Sequence, residues 1–128
     1  LPMPIVWFSK TDSSGLATVY KTNITINKFG MNEIKDAAAG LLGMDVENKR
    51  VLIKPLTCDE VESGHYPKEA MFPFSGGDTY TRISSTEFVG AIAKAFGYDF
   101  KEGKKKFPCR FDAQEKSLII DLSKEVTS

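Results

Sequence analysis

Two spacings of apolar residues alternate along the chain, a period near two that predicts strands and a period near 3.6 that predicts helices. Ile5, Val6, Trp7 and Phe8 form a short apolar run suited to a strand, and the polar, turn-forming residues after it end in Gly15. A return strand is predicted from Leu16 through Val19 to Ile26, with Tyr20, Ile24 and Ile26 on one parity and mostly polar residues on the other. Next, Ile34, Ala37, Ala38, Leu41 and Leu42 fall at i, i+3, i+4, i+7 and i+8, which predicts a helix capped at Asn27 or Asn32 and stopped by Gly43. Val51, Leu52 and Ile53 read as a buried strand ended by Pro55.

Residues 57–78 break the pattern with Asp59, Glu60, Glu62, Gly64, Pro67, Pro73 and the pair Gly76-Gly77, and they read as a linker. Within them Met71-Phe72-Pro73-Phe74 is too apolar to leave in water and is expected to tuck against one half of the molecule. A strand over 79–83 then leads into Ser84 and Glu87, a capping-box spacing, followed by a helical stripe of Phe88, Val89, Ile92, Ala95 and Phe96 with Gly97 as the stop. Phe107 to Phe111 and Leu118 to Ile120, separated by a polar turn, predict a closing hairpin, and 123–128 a frayed tail.

Aligning Gly43 with Gly97 pairs Ile34 with Phe88, Ala38 with Ile92 and Leu42 with Phe96. The expected fold is therefore α+β, with two related strand-helix-strand halves: 1–56 carrying an N-terminal hairpin and the first half, 57–78 the linker, and 79–128 the second half with its hairpin. Thr81-Arg-Ile-Ser-Ser-Thr-Glu-Phe-Val in the second half, with Ile24-Thr-Ile-Asn and Glu47-Asn-Lys-Arg-Val-Leu-Ile-Lys-Pro55 in the first, resembles the AbrB-type, swapped-hairpin module of bacterial transition-state regulators. The two-copy arrangement is similar to the MraZ variant, in which two modules in one chain stand in for a dimer. This resemblance implies a pseudo-two-fold barrel and a non-enzymatic regulator that binds duplex DNA.

Composition adds limits. With 41% hydrophobic and 27% charged residues the chain belongs to the ordinary globular class. Seventeen basic residues balance seventeen acidic ones, so attraction to a polyanion has to come from a local patch. Lys101, Lys104, Lys105, Lys106 and Arg110 make one such patch, and Lys21, Lys28 and Arg82 add to it as phosphate or base contacts. Cys58, His65 and Cys109 are ligand types for zinc, but their spacing fits no zinc pattern, and no metal, cofactor or catalytic group is expected. The two cysteines read as free thiols. No apolar run approaches membrane-spanning length and the first residues lack signal-peptide character, which gives a cytoplasmic expectation. The competing function is a protein-interaction module without nucleic acid, with self-association as a homodimer through an exposed strand at Val51 to Ile53 or through Met71 to Phe74.

Overall fold

The computed structural model describes residues 15–126. Eight strands are present: β1 (Gly15–Val19), β2 (Asn23–Asn27), β3 (Ala39–Asp45), β4 (Arg50–Leu56), β5 (Phe72–Gly76), β6 (Tyr80–Ser84), β7 (Lys105–Asp112) and β8 (Ser117–Asp121). They close into a barrel in the order β1-β2-β6-β5-β3-β4-β8-β7, and every neighbouring pair is antiparallel. Two helices, α1 (Cys58–Glu62) and α2 (Thr86–Phe96), lie outside the sheet. The expected barrel is present, as one sheet in which strands from both expected halves interleave: β2 lies beside β6, and β4 beside β8.

Closure follows from the period-two pattern. Ala17, Val19, Ile24, Ile26, Val51, Ile53, Ile83 and Phe107 are each almost wholly buried and alternate with less buried residues on their strands, and on β8 Leu118 and Ile120 are buried together with their neighbours Ser117 and Ile119. An eight-stranded barrel has an interior that side chains of this size can fill. Met31 and Ile34 are buried where β2 gives way to β3; Val89, Ile92, Phe100 and Leu122 are buried around α2 at the other end.

Helix α2 forms as predicted, with Val89 and Ile92 of its stripe buried and Phe88 and Phe96 half-buried, whereas Ala95, expected on the same stripe, is exposed. Its cap is Ser85, whose hydroxyl accepts from the Phe88 amide, one residue beyond the expected Ser84. Gly97 ends it in the left-handed conformation at φ 73°, and both the Gly97 and Tyr98 amides donate to the Ala93 carbonyl. The closing hairpin is β7-β8, as expected.

The first helix is not formed. Residues 28–36 make a series of turns, and 39–45 is strand β3, paired over its whole length with β4 and at its start with β5. Gly40, inside the expected helix, weakens it by about 1 kcal/mol relative to alanine. Gly40 also lets the Phe74 ring approach so closely that a Cβ there would sit 2.7 Å from it. Ladder pairing and barrel closure override a nine-residue helical stripe, since most helical stability comes from tertiary packing. The alignment of Gly43 with Gly97 thus pairs a strand glycine with a helix stop.

The strand expected from Leu16 to Ile26 is a hairpin, closed where the Tyr20 amide donates to the Asn23 carbonyl at 2.8 Å, so Tyr20 does not share a face with Ile24 and Ile26. Strand β4 continues through Pro55, which pairs with Gly40, to Leu56. Residues 57–78 are ordered: Thr57 and Glu60 form a capping box that starts α1, a 3-10 turn covers Lys68–Ala70, and β5 completes the barrel between β3 and β6. Phe72 and Phe74 pack on the core, and β4 has β3 on one edge and β8 on the other, so both segments expected to pair with a second copy are engaged within the chain. The expected frayed tail is held as far as Val126, whose amide donates to the Lys106 carbonyl at 2.7 Å. The strand expected over Ile5 to Phe8 lies outside the described residues. Among the described residues no helix is long and apolar enough to cross a membrane.

Candidate nucleic-acid interface

Because inward positions are settled by burial, the outward ones can be read across the barrel wall from the strand register. Lys106 on β7, Thr18 on β1, Thr25 on β2, Arg82 on β6 and Ser75 on β5 form one row. Toward α2 the same register continues into a row of Lys104, Tyr20, Asn23 and Ser84; away from it the row is Pro108, Leu16, Asn27 and Tyr80. None of these outward positions is an aspartate or glutamate. The side chains in the middle are short and polar, whereas the aromatic and cationic ones stand around them.

Tyr20, Asn23, Thr25, Tyr80 and Arg82 line an open depression of about 500 Å³ in this wall. The Arg82 guanidinium lies 5.2 Å from the centre of the Tyr80 ring and the Lys104 ammonium 5.9 Å from that of Tyr20. Each tyrosine therefore carries a cation on its ring. Among the described residues the ion pairs are Asp45 with Arg50 at 2.8 Å and Lys105 with Glu125 at 3.7 Å, and neither takes a cation from this wall's outward rows. Asn23 is held by its neighbours, donating to the Thr22 hydroxyl and accepting from that of Thr25, and the Asn27 side chain accepts from the Leu16 and Gly30 amides. Both asparagines shape the wall.

The basic residues singled out from the sequence fall into three groups. Arg82, Lys104 and Lys106 share this wall. Lys21, in the β1-β2 turn, and Lys101, after α2, line an adjoining groove of about 540 Å³ whose floor is made by Val89, Ala93, Tyr98 and Phe100. The rest are elsewhere: Lys28 follows β2 at the opposite end of the barrel, Lys105 is paired with Glu125 and lies 5.9 Å from the Tyr98 ring, and Arg110 stands further along β7 opposite Ile119. The acidic residues Asp59, Glu60 and Glu62 sit on α1, which hangs from the end of β4 on the opposite wall.

Spacing alone did not mark Tyr20 and Tyr80. Tyr20 was expected on a buried parity, and the two-residue turn that frees it has no glycine to announce it. The signal available was a cation near each tyrosine, Arg82 two residues along β6 from Tyr80 and Lys104 beside Tyr20 once β1 is placed next to β7.

Other chemistry is dispersed. Cys58 is exposed on α1, whereas Cys109 is buried in β7, where burial pushes its thiol up to about 12. Among the described residues no three histidine, cysteine or carboxylate side chains converge as metal ligands. Comparisons with known protein families, with curated proteins and with solved structures find no match.

Proposed function

We propose that the chain is a non-enzymatic nucleic-acid-binding module whose contact surface is the wall formed by β7, β1, β2 and β6. The observation that carries this reading is the grid of outward positions itself: Arg82, Lys104 and Lys106 in no ion pair among the described residues, two tyrosines beside them, and no carboxylate in the grid. Unpaired cations neutralise phosphates and release counter-ions, and a local patch does this even in a chain of zero net charge. Lys21 and Lys101 extend the cationic surface along the groove beside α2.

A narrower reading is a bacterial transcription regulator of the AbrB kind, cytoplasmic, dimeric, binding duplex DNA with two pseudo-two-fold halves. The capped unit β6-α2 and the hairpin β7-β8 favour it. The strand at 39–45 stands against the equivalence of the halves.

The test is fluorescence anisotropy of labelled random-sequence oligonucleotides, in single-stranded and duplex form, over a range of salt. Three phosphate contacts predict a log–log salt slope of about −2 for a single strand and about −3 for a duplex. Absence of binding to either form at low salt would reject the reading.

A further inference from the structure

We infer that the nucleic acid this wall accepts is single-stranded, with bases stacked on Tyr20 and Tyr80 and phosphates on Lys104, Lys106 and Arg82. The inference rests on the nucleic-acid reading above and narrows it to one substrate class.

Three observations carry it. First, the wall combines two partly exposed aromatic rings with cations, the two components of sequence-tolerant single-strand binding. Tyr20 is 36% exposed and Tyr80 half-buried at opposite corners of the depression. They are two strands and four residues apart, a separation of about 16 Å from strand spacing and rise. Between them Thr18 and Thr25 are short enough to leave room for a sugar-phosphate chain to cross.

Second, the cations are placed for a strand with its bases down. Arg82 lies over the Tyr80 ring at 5.2 Å, which puts a guanidinium, itself a group on which bases stack, beside the aromatic ring. Lys104 lies by the Tyr20 ring at 5.9 Å, and Lys106 is two residues further along β7 on the same side.

Third, among the described residues no projecting element suits a duplex groove. Reading a major groove takes a helix or ribbon bearing arginine, asparagine or glutamine. The exposed side of α2 offers Glu87, Gly90, Lys94 and Ala95, while its apolar side caps the barrel. The β7-β8 turn carries Gln114 between Asp112 and Glu115, whose carboxylates repel phosphates, and the β3-β4 turn carries Asp45, whose carboxylate engages Asn48 and Arg50.

The experiment measures anisotropy at 50 mM salt with four labelled 12-mers: random single-stranded DNA, random single-stranded RNA, their DNA duplex, and an abasic deoxyribose-phosphate strand of equal charge. The expected result is that a base-bearing single strand, DNA or RNA, binds at least tenfold more tightly than both the duplex and the abasic strand. Tyr20→Ala and Tyr80→Ala should each weaken that binding by about 5- to 100-fold, and Tyr20→Phe and Tyr80→Phe should leave it within about twofold. The comparison of strands uses only the parent protein, so it stands whether or not a variant folds. A duplex that binds as tightly as the single strands, or an abasic strand that matches them, would overturn the inference and leave the wider reading intact. No binding by any of the four would overturn both.

Discussion

Phe107 is the largest fully buried side chain in the barrel, and its loss is the sharpest test of the interior described above. It lies on β7 opposite Ala17 of β1, and its ring meets that of Tyr98 edge-on at 5.4 Å, which joins the segment after α2 to the barrel core. Phe107→Ala removes a buried ring beside a residue too small to fill the space, and such truncations cost about 3–5 kcal/mol. A domain's whole stability is about 5–15 kcal/mol, so this one change takes a large share of it. With a urea slope of about 1.5 kcal/mol/M the midpoint falls by about 2–3 M. Phe107→Leu keeps most of the volume and loses the ring pair, for about 1–2 kcal/mol. Urea unfolding followed by far-ultraviolet circular dichroism measures both. A Phe107→Ala cost below about 1 kcal/mol at unchanged slope would refute a barrel filled by this ring.

Asp45 gives a pH test. Hydrogen bonds from the Asn48 side chain and Arg50 hold its carboxyl at about 2, below the ordinary 3.8, so its stabilising contribution is present above pH 3.8 and is lost as pH falls through about 2. The difference in urea midpoint between the parent and Asp45→Asn should stay constant from pH 7 to about 4 and shrink toward pH 2; a difference that grew on acidification would contradict this assignment. The cysteines give a second test. In native protein at pH 8 a disulfide-exchange reagent should titrate Cys58 promptly and Cys109 only after denaturation, because burial keeps the Cys109 thiol protonated. Two fast thiols in the native protein would show that β7 is not packed as described.

The parts of the fold legible from sequence were those whose local signals agree with their tertiary setting. Helix α2 has a serine cap, an apolar stripe and a glycine stop, and its stripe packs on the barrel end. The hairpin β7-β8 has two apolar runs around a polar turn. Residues 34–42 carried a helical spacing that the structure does not use, because barrel closure demands a strand there and Gly40 must admit the Phe74 ring. Residues 57–78 looked like a linker because β5 holds Pro73 and two glycines follow it closely; its pairing partners, β3 and β6, are remote in sequence.

The candidate site was legible in part for the same reason. Lysines 104 and 106 and Arg82 stand out in the sequence as charges, but their sharing of one wall depends on β7, β1, β2 and β6 being neighbours, which no local pattern encodes. Lys28 and Arg110 look equivalent to them in sequence and are carried away by the same topology. Tyr20 was hidden by a turn without glycine, and Tyr80 by the pairing of β6 with β2, remote in sequence.

The most direct test of the account is the salt dependence of single-strand binding for the parent, for a triple variant of the wall (Arg82→Gln, Lys104→Gln, Lys106→Gln) and for a triple variant away from it (Lys35→Gln, Lys54→Gln, Lys68→Gln). Each set removes the same charge. The account predicts that the wall variant binds more weakly and that its log–log salt slope is shallower by about 2, while the other variant keeps the parent's slope. Equal losses in the two variants would mean that the chain meets nucleic acid, if at all, through diffuse charge, and that the wall between Tyr20 and Tyr80 is not its binding surface.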